Sequence, residues 1–188
     1  MPDAGLPPLP ESEWDDETRA MLSPDLPGGG RVLNIFATLS RHPKLMKRWL
    51  VFGSHVLAKS TLPARDRELL ILRTGWRCRA PYEWGQHVVI ARAAGITDVE
   101  IAQIAAGPDD RGWDPFEATL LRAADELHDD LCVSEPTWHA LADRYTEQQL
   151  LDLLFCVGQY HLVSMALNSL RVARDDNVEG VPFPERSA

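Results

Sequence analysis

Glu83 and His87 stand four residues apart in Tyr82-Glu83-Trp84-Gly85-Gln86-His87. That spacing puts both side chains on one helical face, a turn apart. A carboxylate beside an imidazole is common equipment for moving protons near neutral pH. A second carboxylate, Glu68, comes from the preceding segment Arg67-Glu68-Leu69-Leu70-Ile71-Leu72-Arg73. If the two segments pack as antiparallel helices, as the short link between Arg77 and Ala80 favours, Glu68 can reach His87; the alternative is a first-turn carboxylate that only complements its own helix dipole. A Glu68–His87 contact fixes the tautomer of the imidazole and raises its basicity. Pro81 places Glu83 in a first helical turn, where the dipole favours the ionised carboxylate by about 0.3–1 kcal/mol. Burial beside Trp84 or Trp76 pulls the other way. The plain alternative is a surface Glu–His pair contributing a fraction of a kcal/mol.

The elements that must position these groups read as helices. Asp15 to Leu22 is a short helix, after which Pro24 and Pro27-Gly28-Gly29-Gly30 form a flexible turn. The glycine run lacks a following Lys-Ser/Thr and is not a phosphate loop. Pro43 opens a helix toward Ala58, Pro63 the next, and Pro81 a third that Gly95 stops. Thr97 with Glu100, Asp114-Pro115 with Glu117, and Thr146 with Gln149 carry capping signatures, and Ser134-Glu135-Pro136 starts a short helix. The last helix, from about Glu147 to Arg171, is the longest and most apolar, which suits either the centre of the fold or a subunit interface. No alternating strand pattern with hairpin turns occurs, so the expected fold is all-α. The expected organisation is an extended N-terminal segment at 1–30, one helical domain at 31–174 and a C-terminal surface arm at 175–188.

The chain has 188 residues with a net charge of −9 and 45% hydrophobic content, ordinary for one globular domain with a real core. The acidity argues against a nucleic-acid partner, which would select a basic face. Three cysteines, Cys78, Cys132 and Cys156, stand at wide spacing without a CxxC, which fits a reducing compartment. The N-terminus has no signal-peptide pattern and no apolar stretch reads as long and charge-free enough to span a bilayer, so the expectation is a cytoplasmic protein without a membrane partner. The other histidines, His42, His55, His128, His139 and His161, show no carboxylate pairing at a known metal spacing, and no metal site is expected. His128-Asp129-Asp130 reads as a solvated helix end, and Tyr160, His161 and Asn168 on the last helix read as core residues with satisfied partners, the alternative being that they face the His87 pocket.

Glu68-Leu69-Leu70-Ile71-Leu72-Arg73, then Tyr82-Glu83-Trp84 with His87, then Ala91-Arg92-Ala93-Ala94-Gly95-Ile96-Thr97 resemble the carboxymuconolactone decarboxylase family, which shares its fold with alkylhydroperoxidase D. The resemblance is clearest from about Arg65 to Ala106. It implies an alkylhydroperoxidase D-like helical bundle assembled as a homo-trimer or homo-hexamer. In the redox branch of that family, a CxxC precedes the histidine on its helix and an upstream glutamate completes a proton relay. Those two cysteine positions fall on Ala80 and Glu83 here, while the glutamate and histidine positions fall on Glu68 and His87. The form Tyr-Glu-Trp-x-x-His looks instead like the decarboxylase branch, which acts without cofactor on a small organic acid or lactone. The resemblance then implies His87 as proton donor with Glu83 and Glu68 orienting it. Arg73 is the nearest cation for a substrate carboxylate, and Tyr82 and Trp84 are candidates for an apolar wall. A thiol peroxidase relying on Cys78, and an oligomeric binding protein without chemistry, are the alternatives. The long N-terminal segment and the inserted stretch Gly107 to Asp114 depart from the decarboxylase pattern.

Overall fold

The computed structural model describes residues 5–22 and 32–185, and all regular secondary structure among them is helical. A 3-10 turn at Glu11–Glu13 precedes α1 (Asp16–Met21), α2 (Asn34–Leu39) and α3 (Pro43–Ser54). A π-helical turn, His55–Lys59, continues α3 directly. The remaining helices are α4 (Ala64–Arg77), α5 (Pro81–Ala93), α6 (Asp98–Ala106), α7 (Pro115–Asp129), α8 (Glu135–Ala142) and α9 (Glu147–Leu170).

The helix starts obey local chemistry. Thr97 with Glu100 and Thr146 with Gln149 form reciprocal capping boxes, each satisfying two amides that the helix leaves open. Asp15 and Asp114 each accept one first-turn amide. Glu117 does not close a box with Asp114; its carboxylate holds Arg65 of α4 at 2.7 Å. Gly95 ends α5 with φ +85°, a conformation that costs glycine little.

Helix α4 is the central element. Leu69, Leu70, Ile71 and Leu72 are buried on all sides, and α5, α7 and α9 pack around them. A second apolar cluster joins α2 and α3 to Tyr82, Val163 and Leu167.

Several expectations need correction. The six-residue α2 has no counterpart among the expected helices. The glycine-rich turn lies outside the described residues. The N-terminal segment is tied down where it is described, with the Leu6 amide donating to the Leu170 carbonyl and Leu9 to Ala37. The C-terminal segment is a strap rather than a surface arm. Val178 is buried against Gly85, where a Cβ would come within 3.3 Å of it, and Trp84 and Trp76 donate their indole N–H groups to the carbonyls of Pro182 and Pro184. Helix α9 is long and apolar enough, by length and composition, to cross a membrane, contrary to the sequence expectation. Its acidic residues, Glu147 and Asp152, stand in the first two turns, so the remainder is free of charge. Half of that stretch is buried inside the protein, as in the core helix of a globular fold.

Candidate active site

The antiparallel packing of α4 and α5 brings Glu68, His87 and Glu83 into one line. His87 Nδ1 lies 2.6 Å from Glu68 Oε2 and His87 Nε2 lies 3.0 Å from Glu83 Oε1. All three are buried, Glu68 completely. Arg67 extends the row, its Nε donating to Glu68 Oε1 at 3.1 Å. Two cations therefore alternate with two carboxylates, and the row is neutral when His87 is protonated. Burial alone pulls the imidazole pKa down, but the two carboxylates outweigh it and lift His87 to about 10. The imidazolium is the resting form at neutral pH.

This shift sets the sign of the stability effect. His87 holds its proton in the folded chain up to about pH 10, against 6.5 for a free imidazole. Its contribution is therefore complete below pH 6.5 and is lost as pH rises toward 10. Thermal denaturation should show a Tm that falls across this window, with a smaller fall in His87→Gln. Equal slopes in the two proteins would contradict the ion row.

Glu83 and His87 open onto a cavity of about 350 Å³, near the lower end for small-molecule sites. Its walls are mainly apolar, with Phe36, Trp49, Leu57, Ile90 and Tyr160 among them. Tyr160 meets the His87 ring edge-on at 4.9 Å. No Lys or Arg is among the lining residues. Gln159 is buried in the wall and its Oε1 has no hydrogen-bond partner, leaving an acceptor for a donor group on a ligand.

The other site candidates divide. Tyr82 lines the cavity, but its hydroxyl is already committed. It donates to Asp175 Oδ2 at 2.5 Å and accepts from the Ile35 amide. Asp175 also receives Gln86 at 2.8 Å, so the strap fixes two side chains of the cavity. Trp84 is not in the wall. It points to the opposite side of α5 and packs edge-on against Phe183. Arg73 is neither a surface residue nor a cavity residue. Its guanidinium grips Asp125 of α7 with two hydrogen bonds, of 2.7 and 2.8 Å, and the carbonyls of Ile104 and Ala105 with two more. A group so bound inside the protein has nothing to offer a substrate. No residue of 107–114 lines the cavity either.

Sequence reasoning missed Arg67, Asp175 and Gln159. Arg67 directly precedes Glu68, but i,i+1 neighbours do not normally share a helical face. Asp175 sits in a proline- and charge-rich segment with no periodic signal. His128 is not a solvated helix end; its Nδ1 lies 2.9 Å from His161 Nε2. Burial pushes the Cys78 thiol upward, with the Ser164 hydroxyl and Arg77 acting against it.

Residues 43–126 match the model of the carboxymuconolactone decarboxylase family. Among solved structures, the fold is shared with the alkylhydroperoxidase AhpD core of an uncharacterised peroxidase-related protein from Ralstonia eutropha JMP134. The TM-score is 0.81 at 19% identity, covering 95% of this chain and 96% of that one. An uncharacterised peroxidase-related protein from Silicibacter sp. TM1040 aligns with a TM-score of 0.81 at 12% identity, covering 95% of both chains. The debrominase Bmp8 aligns at 0.74 and 12% identity, covering 92% of each chain. At these identities the likeness establishes the fold, an AhpD-like helical bundle. No curated protein sequence matches the chain.

Proposed function

Through residues 43–126 the chain belongs to the carboxymuconolactone decarboxylase family, and on that footing we propose that its cavity is the active site of a cofactor-free acid–base enzyme acting on a small organic acid or lactone. The observation that carries this reading is the row Arg67, Glu68, His87, Glu83, which ends in a carboxylate facing an apolar cavity. Such a row stores a proton on His87 and passes it through Glu83 to a bound molecule. In a decarboxylation the substrate carboxylate leaves as carbon dioxide and its electron pair spreads into the conjugated system. The proton then adds to carbon, and water restores it to the row. With no Lys or Arg among the lining residues, and the His87 charge already balanced by Glu68 and Glu83, the body of the substrate is expected to be largely apolar. Gln159 would select a hydroxyl, amine or lactol donor on it.

A thiol peroxidase has less support. The two redox positions hold Ala80 and Glu83, and an upward-shifted Cys78 thiol supplies little thiolate. The free state of Cys78, Cys132 and Cys156 suits a reducing compartment.

Turnover in heavy water tests the acid–base reading. A panel of unsaturated acids and lactones, monitored by NMR, should yield a product carrying deuterium at the newly protonated carbon. Ligands that bind the cavity and are recovered unchanged across the panel would favour the binding-protein alternative.

The assembly belongs to the same proposal. Helix α9 buries one face and leaves Leu151, Phe155, Leu162 and Met165 exposed by 56%, 57%, 50% and 62%. Gly158 lies open between them. An apolar stripe of this kind is costly in water and fits a second copy of the chain, in a homo-trimer or homo-hexamer. Phe155→Glu should reduce the mass measured by light scattering to that of a monomer while the helical circular-dichroism signal persists. A wild-type chain that is already monomeric would remove the proposal.

A further inference from the structure

Away from the cavity, three side chains turn metal-ligating atoms toward one another. Cys78 caps the C-terminal end of α4, His128 lies in the last turn of α7, and His161 projects from the middle of α9. Their ligating atoms all lie within 4.8 Å of one another. His128 Nδ1 is 2.9 Å from His161 Nε2 and 3.8 Å from Cys78 Sγ. A tetrahedral zinc ion, with Zn–S about 2.3 Å and Zn–N about 2.0–2.1 Å, holds sulfur and nitrogen about 3.5 Å apart and two nitrogens about 3.4 Å apart. Two sides of the triangle are thus within about half an ångström of that geometry.

The surroundings are also those of a ligand set. His161 Nδ1 lies 2.9 Å from the Val157 carbonyl. A carbonyl only accepts, so Nδ1 carries the hydrogen and Nε2 presents its lone pair. A backbone carbonyl behind the ring is a usual way of fixing a ligating imidazole. Asn168 of α9 donates to the Cys78 carbonyl at 2.9 Å and anchors that residue across the helix interface. Ser164, one turn beyond His161, stands beside the Cys78 thiol. Its hydroxyl is completely buried and makes no hydrogen bond of normal geometry. A buried hydroxyl whose polar neighbour is the Cys78 thiol is suited to holding a fourth-position water. The three ligands are only part-buried, which leaves an entry path. One thiolate with two imidazoles favours zinc over the hard, oxygen-seeking cations.

We propose that Cys78 Sγ, His128 Nδ1 and His161 Nε2 bind one zinc ion per protomer, with water as the fourth ligand. The thiol loses its proton to solvent as the Zn–S bond forms, and His128 carries its hydrogen on Nε2 in the bound form. None of the three lines the catalytic cavity, so the site is separate from the proposed chemistry.

The test uses the full chain, stripped with a chelator and titrated with Zn²⁺ and, in parallel, with Co²⁺. One equivalent of zinc should bind and raise Tm by several degrees at about one hundred times Kd. Cobalt should give a thiolate-to-metal charge-transfer band that Cys78→Ser abolishes. Cys78→Ser and His161→Gln should each weaken binding at least about 100-fold, whereas Cys132→Ser, at an exposed thiol, should leave it unchanged. Substoichiometric binding, a wild-type cobalt complex without the charge-transfer band, or loss of binding in Cys132→Ser would overturn the proposal. The wild-type cobalt spectrum decides the matter even if a variant fails to fold.

Discussion

Replacing Glu83 with glutamine is expected to lower kcat by at least about 100-fold while leaving the helical fold in place. Of the two carboxylates beside His87, only Glu83 also lines the cavity. An amide of the same shape can still accept a hydrogen bond from His87 Nε2. It cannot take up the proton and deliver it to carbon, so the loss falls on the chemical step rather than on binding. KM should change little, and deuterium incorporation should fall with kcat. Glu68→Gln is a different experiment, because Glu68 lies behind His87 and is the larger influence holding its proton. It should lower the pKa of His87 and shift the pH profile of turnover, without removing the terminal proton carrier. A Glu83→Gln enzyme with wild-type kcat would end the acid–base reading.

The second large effect concerns stability. Arg73→Ala should destabilise the protein by about 3 kcal/mol, the lower end of the range for breaking a buried ion pair. That corresponds to a Tm lower by roughly 6–12 °C for a chain of this size. Four hydrogen bonds tie this guanidinium to α6 and α7, and it lies 4.7 Å from the centre of the Trp76 ring. Asp125 would keep Arg77, at 3.5 Å, as a partial replacement, which is why the lower end applies. Arg73→Lys should recover little, since an ammonium cannot reproduce a planar fork against a carboxylate and two carbonyls. Calorimetry measures both. Ligand affinity of the cavity should be unaffected in whatever fraction remains folded, and a large change there would put Arg73 back at the site.

The sequence makes some of this legible and hides the rest for physical reasons. The pairing of Glu83 with His87 is readable because it rests on a local rule, the i,i+4 spacing; whether Glu68 joins them depends on how α4 packs on α5, which the short link favours but does not fix. The capping boxes at Thr97 and Thr146 are readable for the same reason. Arg73 and Trp84 sit in surroundings that the sequence does not reveal. Near a candidate site, an arginine reads alike whether it waits for substrate or grips an aspartate fifty-two residues away, the separation from Asp125. The orientation of Trp84 depends on its packing partner, here a strap whose prolines and charges suggest solvent. Helix α2 is too short, at six residues, for a periodic pattern to register. The cluster of Cys78, His128 and His161 is invisible in the sequence because its members come from three helices.

The π-helical turn at His55–Lys59 offers a different way for this site to change. It joins α3, which contributes Trp49, Leu50 and Gly53 to the cavity, to the link ahead of α4. A π turn carries one residue more than the α-helix it interrupts. Deleting His55 or Val56 would let the helix end as ordinary α and turn Leu57, which stands in the π turn and lines the cavity, by about 100° around the helix axis. Leu57 would leave the wall while Trp49 and Leu50, which precede the turn, keep their places. Descendants of this sequence could therefore exchange one cavity-wall residue through a single codon deletion, with Glu68, Glu83 and His87 untouched. Among relatives, length variation at this point should track substrate preference more closely than substitution in the ion row.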